Sequence, residues 1–283
     1  LANTTGEYTG AMPTTVADVQ RAVDALWPAS GAEAWDAVGL VAGSPDDEVR
    51  RILLAVDAVA ATVDEAVVAN ADLLITHHPL LLRGVTSVAA DRYKGSMLTR
   101  LIRGNVALLT AHTNADVVET GTSGTIAEAL GLVGVTPIEP GPNPTRGIGR
   151  VGDLPAATTL GRFAHQLAEL FPATASGIRV AGDFDRPIRR VALCGGAGDG
   201  LLAAPAVLGA DVYVTSDLRH HPASEALENA TIAGGPALVD VSHWASEWLW
   251  LSVAARELAA ALPDVEIAVS DLRTDPWDFA IMQ

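Results

Sequence analysis

The feature that most narrows what this chain can fold into is an internal repeat at an offset of 139 residues. Arg50, Arg51, Ile52 and Leu54 open a strand-like apolar run, and an alanine-rich stretch then leads to Ala71-Asp72-Leu73-Leu74-Ile75-Thr76. The second copy has Arg189, Arg190, Val191 and Leu193, followed by Ala210-Asp211-Val212-Tyr213-Val214-Thr215 in the same register. In each copy a short apolar run, ten or more helix formers and another apolar run read as strand, helix, strand, a βαβ unit with parallel strands. A second echo, at an offset of 131 residues, relates Val106-Ala107-Leu108-Leu109-Thr110-Ala111-His112 to Ala237-Leu238-Val239-Asp240-Val241-Ser242-His243. Both runs read as strands ending in histidine, with a carboxylate four residues later, Asp116 in one and Glu247 in the other. The sequence therefore predicts an α/β fold of two pseudo-symmetric lobes. Its chemistry should lie at strand C-terminal ends, where open parallel sheets bind ligands.

Between the copies, Gly131 to Asp185 is richer in Pro and Gly, which puts the lobe boundary near Leu132. Within this stretch Thr158 is expected to cap a helix over Thr159 to Phe171. The last helix is expected over roughly Ala245 to Ala261, with Trp248, Leu249, Leu251, Leu258 and Leu262 at positions that mostly suit a buried face. Leu1 to Ala11 are polar and unpatterned, whereas Met12 precedes a Thr-capped periodic stretch. Met12 is accordingly expected to be the native start, with residues 1–11 an extension outside the fold.

Composition bounds the function. A 283-residue chain that is 49% hydrophobic and 18% charged has ample material for a globular core. Its formal charge of −16 would repel a phosphate backbone, so nucleic acid is not expected as a partner. The single cysteine, Cys194, excludes an intrachain disulfide and thiolate zinc sites, and a reducing cytoplasm fits best. No apolar run reaches the ~18 to 20 residues of a membrane span, and the N-terminus does not read as a signal peptide.

The histidines carry the chemical signal. His77 and His78 follow four apolar residues and a threonine and are stopped by Pro79, so they sit where a strand becomes a loop that can turn both rings toward one cavity. A lone buried histidine is usually a hydrogen-bonded core residue, but His77, His78, His112 and His243 all end strands, and His220 and His221 follow another strand end. His165, on a helix, has no claim on function. The His-x3-Glu spacing of His243 and Glu247 puts both side chains on one face of a first helical turn; His112 and Asp116 share the spacing, with Asn114 favouring a turn between them. Imidazoles with nearby carboxylates form a nitrogen and oxygen ligand set suited to Zn, Mn, Fe or Co. The glycine-rich run Gly195 to Gly200 lacks the Lys and Ser/Thr of a phosphate-binding loop and reads better as a strand-to-helix turn.

Three motifs in order resemble one family. Ile75-Thr76-His77-His78-Pro79-Leu80, Ala111-His112-Thr113-Asn114-Ala115-Asp116 and Asp240-Val241-Ser242-His243-Trp244-Ala245-Ser246-Glu247 look like the signatures of the Ngg-interacting-factor-like proteins, whose bacterial members are commonly labelled GTP cyclohydrolase I type 2 homologues. The resemblance runs from about Val16 to Asp271 and takes in Trp35-Asp36-Ala37-Val38-Gly39-Leu40 and Cys194-Gly195-Gly196-Ala197-Gly198. It implies a dinuclear metal centre in the cleft between two lobes, each a mixed sheet flanked by helices, with His77, His78, Asp116, His243 and Glu247 holding two divalent ions and His112 beside them as an acid/base or supporting group. It further implies that residues 12–132 and 237–283 form one lobe around 133–236, that the assembly is a ring-shaped homohexamer, and that the activity is metal-dependent hydrolysis of a small molecule, a nucleotide or related heterocycle. A metal-binding regulatory or scaffold protein without turnover is the alternative. Two departures add side chains near the site: Ser242 stands where the family has glycine, and Thr215-Ser216-Asp217 replaces Thr-Gly-Asp. His221 matches a recurrent histidine of the second-lobe motif that contains Thr215-Ser216-Asp217 and, with Asp217, is a candidate to line the cavity; a capping or interface role is the other reading.

Overall fold

The computed structural model describes residues 13–281, so the extension expected over residues 1–11 lies outside the described residues. In chain order the strands are β1 (Gly39–Ala42), β2 (Arg51–Ala55), β3 (Leu73–Thr76), β4 (Ala107–Thr110), β5 (Val133–Thr136), β6 (Glu139–Pro140), β7 (Gly147–Ile148), β8 (Arg150–Thr159), β9 (Arg179–Ala181), β10 (Pro187–Ala197), β11 (Val212–Ser216), β12 (Ala237–Val241) and β13 (Glu266–Val269). The α-helices are α1 (Val16–Leu26), α2 (Ala60–Val68), α3 (Tyr93–Arg103), α4 (Thr113–Asp116), α5 (Thr122–Ala129), α6 (Leu160–Leu170), α7 (Pro205–Leu208), α8 (His220–Ala233) and α9 (His243–Ala261). The chain forms a five-stranded sheet of order β1-β4-β3-β2-β13, a six-stranded sheet of order β5-β8-β10-β11-β12-β9, and a small β6-β7 ribbon.

Each main sheet holds three consecutive parallel strands, β2-β3-β4 and β10-β11-β12, with an antiparallel strand beside the third, β1 in one and β9 in the other. The repeat survives in the hydrogen bonds. The Asp72 carboxylate accepts from the backbone N–H groups of Arg50 and Arg51 at 2.7 and 2.9 Å, and Asp211 accepts from those of Arg189 and Arg190 at 2.8 Å each. In both copies one aspartate thus ties the start of the second strand to the start of the first.

The strands read as near-continuous apolar runs because both faces are buried. Ile52, Leu54, Leu73, Ile75 and Leu109 of the first sheet and Val191, Leu193, Val212, Val214 and Val239 of the second share one core cluster with Trp250, Leu251, Ala254 and Leu258 of α9. The alternate residues Leu53, Leu74 and Leu108 pack outward with residues of α2 and α3, while Ala192, Tyr213 and Leu238 pack with residues of α7 and α8. The layers are therefore helices, sheet, central helices, sheet, helices. Each buried Leu or Ile of the central layer contributes about 1.5–3 kcal/mol relative to exposure.

Three expectations need correction. Ala237–Val241, expected in the first lobe, pairs in parallel with β11 in the six-stranded sheet, and the chain returns to the first sheet only through α9 and β13. The repeat had matched this run to β4, its counterpart as third parallel strand. Thr158 is paired with Ile188 in the β8–β10 ladder, so the helix starts one residue later, capped by Thr159, whose side chain accepts from Arg162 N. The last helix starts at His243 rather than Ala245, because Ser242 Oγ caps it by accepting from Ala245 N.

Candidate metal centre

The loops that leave the C-terminal ends of the two parallel triads converge. His77 and His78 continue beyond β3, and their N–H groups donate to the carbonyls of Ala55 and Val56, extending the parallel pairing with β2 by two residues. His112 and Asp116 lie on the single turn α4 after β4, where Asn114 Oδ1 receives the His112 N–H and Asn114 Nδ2 donates to the carbonyl of Trp27. His243 and Glu247 occupy the first two turns of α9 after β12.

Each of the four histidines has Nδ1 against an oxygen that can only accept. His77 faces the Ala111 carbonyl at 3.0 Å, His78 faces Asp57 at 2.7 Å, His112 faces Asp36 at 2.8 Å and His243 faces Asp217 at 2.8 Å. Nδ1 therefore carries the proton in every case, and Nε2 is left to bind something else. The Nε2 atoms of three rings gather on Glu247: His243 and His78 each stand 2.9 Å from one of its carboxylate oxygens, and His77 stands 3.5 Å away. His78 Nε2 and His243 Nε2 face each other at 3.2 Å. Two nitrogen lone pairs at that distance repel unless a proton or a cation lies between them.

Asp116 is 3.7 Å from His77 Nε2 and accepts from Thr122 Oγ1. Trp250 backs the cluster, its ring 5.4 Å from His77 and 5.0 Å from Trp27.

Electrostatics follow from burial around Glu247, which is 3% exposed. Burial alone would raise its pKa, but His243, His78 and His77 outweigh it and hold the carboxyl well below the usual carboxylate range. Conversely, burial opposes charge on His78 and His243, yet Glu247 prevails and pushes them up to about 10 and about 11. His77 is raised in the same way. His112 goes the other way, lowered by burial and by repulsion from His77, so it is neutral at pH 7 with Nδ1 tied to Asp36 and Nε2 available.

The donor set fits a metal. His77 Nε2 and Glu247 Oε2 are fully buried and have no hydrogen-bond partner, the latter despite its proximity to His78. An orphaned buried polar atom costs several kcal/mol, so two of them on neighbouring side chains of one cluster call for a ligand. The candidate ligand atoms form two overlapping groups, His77-His78-His112 and His78-His243-Glu247, within each of which they lie no more than 4.8 Å apart.

A cavity of about 570 Å³ opens onto the cluster, walled by Trp35, Pro79, Leu82, Ile148 and the run Cys194–Ala197. The structure thus gathers His77, His78, His112, Asp116, His243 and Glu247 at one place. His165 packs near Phe184 on α6, and His220 and His221 are exposed at the start of α8 rather than in the cavity wall.

Sequence reasoning missed Asp57 and the closeness of Gly196. The two occupy equivalent positions of the repeat, 139 residues apart, as do His78 and Asp217, with Asp57 just beyond β2 and Gly196 at the end of β10. Gly196, at φ +69°, donates its N–H to Ser246 Oγ and lies against Glu247. The added side chains are accommodated: Ser242 caps α9 and donates to Asp275, while Ser216 lies beside Ser246.

Fold and site together define a two-sheet α/β protein with a histidine–carboxylate cluster fit for divalent metal. The DUF34/NIF3 (NGG1p interacting factor 3) profile matches residues 14–276, and the chain belongs to that family. A Streptomyces coelicolor relative named GTP cyclohydrolase 1 type 2 homolog is 48% identical, with 93% of each chain covered; one of the same name from Mycobacterium tuberculosis is 34% identical over 94% of this chain and 97% of its own. Among solved structures, a Staphylococcus aureus protein superposes with a TM-score of 0.85 at 28% identity, over 95% of this chain and 100% of its own. A Bacillus cereus protein related to NIF3 gives 0.86 at 23% identity over the same shares and supports the fold. Among the described residues no helix is long and apolar enough to cross a membrane.

Proposed function

We propose that this protein is a dinuclear metal-dependent hydrolase of a small molecule. The observation that supports this best is the pair of candidate ligand groups that overlap at His78, with Glu247 of one group also 3.5 Å from His77 of the other, beside an open cavity. One tetrahedral ion needs four donors, and these residues offer more than that. His77, His78, Asp116, His243 and Glu247 would hold two ions of the Zn, Mn, Fe or Co kind, which when bound lower the pKa of water and polarise a substrate oxygen. The protein's own part is positioning and proton transfer. Asp57, Asp217 and the Ala111 carbonyl fix the tautomer and aim of the ligating rings. His112, neutral and oriented by Asp36, accepts a proton at Nε2 as general base and returns it to the leaving group. The relatives' name suggests GTP as one substrate to try, and a homohexamer belongs to the same reading.

The test is to load wild type and His112→Ala with Zn, Mn, Fe or Co separately and count metal per chain. Each is then incubated with GTP, nucleoside monophosphates, phosphodiesters and small cyclic amides, with the assembly measured by light scattering. Close to two ions per chain in both proteins is expected, with turnover lowered ~10²- to 10⁴-fold in the variant. No turnover above the metal-free control on any substrate would favour a regulatory or scaffold role instead.

A further inference from the structure

The cavity wall has a chemical bias of its own. Among the described residues no lysine or arginine lines it, although its volume is in the range of small-molecule sites. Its rim instead carries Glu33 and Glu139, both exposed, which it shares with an adjoining groove of about 410 Å³ bounded by the Pro140–Asn143 turn. Behind the cluster stand three more carboxylates, Asp36, Asp57 and Asp217, each paired with a histidine. With Asp116 and Glu247 that makes seven carboxylates, whose negative charge exceeds that of two divalent ions, in a chain of net charge −16.

The second bias is aromatic. Trp35 stands edge-on to His112, ring centres 5.9 Å apart at 77°, and is 59% exposed at the mouth of the cavity. The T-shaped contact sets the indole beside His112 while leaving much of it uncovered, and a large exposed aromatic beside a reactive centre is a stacking platform for a flat ligand. Leu82, Pro79 and Ile148 supply further apolar wall.

We infer that this cavity is built for a planar nitrogen heterocycle that is uncharged or cationic, stacked on Trp35 and hydrogen-bonded through its N–H groups to Glu33 and Glu139, and not for a nucleoside triphosphate. The inference rests on the reading of the cluster as a metal centre and narrows the substrate class of that site. A triphosphate brings about four negative charges to a rim where two glutamates face it and the one guanidinium nearby, Arg146, lies in the adjoining groove, so its attraction is confined to the metal cluster and its histidines. A neutral ring with N–H donors meets acceptors at the rim and an aromatic face beside the metals.

The test reads binding, so it stands apart from any failure of hydrolysis. Dissociation constants for guanosine, the cationic 7-methylguanosine, GMP and GTP are measured by calorimetry and tryptophan fluorescence on metal-free and zinc-loaded protein at low ionic strength. We expect 7-methylguanosine and guanosine to bind at least tenfold tighter than GTP in both forms. Trp35→Ala should weaken the nucleosides by ~10-fold or more with zinc content unchanged, and Trp35→Phe should restore most of that loss. Glu33→Gln with Glu139→Gln should close most of the gap between 7-methylguanosine and GTP. Tighter binding of GTP than of guanosine, binding indifferent to Trp35, or no binding of either nucleoside would each overturn the inference. A nucleoside that binds but is never hydrolysed would leave it standing while the hydrolase reading fell.

Discussion

Gly196→Ala is the sharpest single test of how the centre is assembled. A Cβ at this position would lie 2.5 Å from Glu247 Oε1 and 3.4 Å from His243 Nε2, in a backbone at φ +69°. The left-handed conformation costs an L-residue roughly 1–2 kcal/mol by itself. The contact with Glu247 adds more, because normal packing distance requires the carboxylate to retreat by several tenths of an ångström. That carboxylate is buried on α9 between His243 and His78, so it cannot retreat without losing the geometry that makes it a shared ligand. Displacing a group that orients or completes a metal site commonly costs ~10- to 100-fold in affinity. Metal-free Gly196→Ala should therefore be less stable by about 1–3 kcal/mol in urea unfolding, and its zinc affinity, by competition with a chromophoric chelator, should fall by that ~10- to 100-fold. Gly200→Ala is the control, since a Cβ there meets nothing within 4 Å. Zinc affinity within threefold of wild type in Gly196→Ala would refute the claim that this glycine is required by the closeness of the second sheet to Glu247.

Asp57→Asn should weaken metal binding ~10-fold or more while leaving the fold intact, because the amide no longer gives the His78 Nδ1–H a charged acceptor; an unchanged chelator titration would contradict this. In the metal-free protein His78 and His243 are pushed up to about 10 and about 11, above the ordinary 6.5. A raised folded-state value stabilises fully below pH 6.5 and is lost as pH rises through 10 to 11, so metal-free unfolding free energy should decline between pH 8 and 11. Incoming metal must expel the same protons, so zinc affinity in chelator buffers should keep climbing from pH 7 to pH 9; a plateau above pH 7 would show that these imidazoles are already neutral.

What could be read from the sequence followed from how local each cause is. The βαβ units were visible because their strands are buried on both faces and read as apolar runs. The histidines were visible because each terminates such a run. The strand β8 was hidden: Arg150–Thr159 contains Gly152 and Pro155, and what holds it extended is pairing with β10, some forty residues away. The placement of Ala237–Val241 was legible in the echo with Val106–His112, where the family resemblance suggested the other lobe. Asp57 was invisible as a partner of His78 because nothing in a lone aspartate after a strand says which ring it will meet across 21 residues.

The return of the chain through α9 to β13 has a consequence for the order in which the molecule is completed. Every strand of the six-stranded sheet lies between Val133 and Val241, so that sheet can close while the chain is still being made. The first sheet, most of which is synthesised earlier, cannot. Its strand β2 has β3 on one side and only β13, at Glu266–Val269, on the other. Until those last residues emerge, one flank of β2 presents unpaired N–H and C=O groups, the kind of edge that recruits other strands. His77 and His78 hang from the neighbouring strand, and their partners His243 and Glu247 arrive only with the helix that delivers β13. The half of the protein translated first is thus the half finished last, and during that interval it is the part exposed to mispairing.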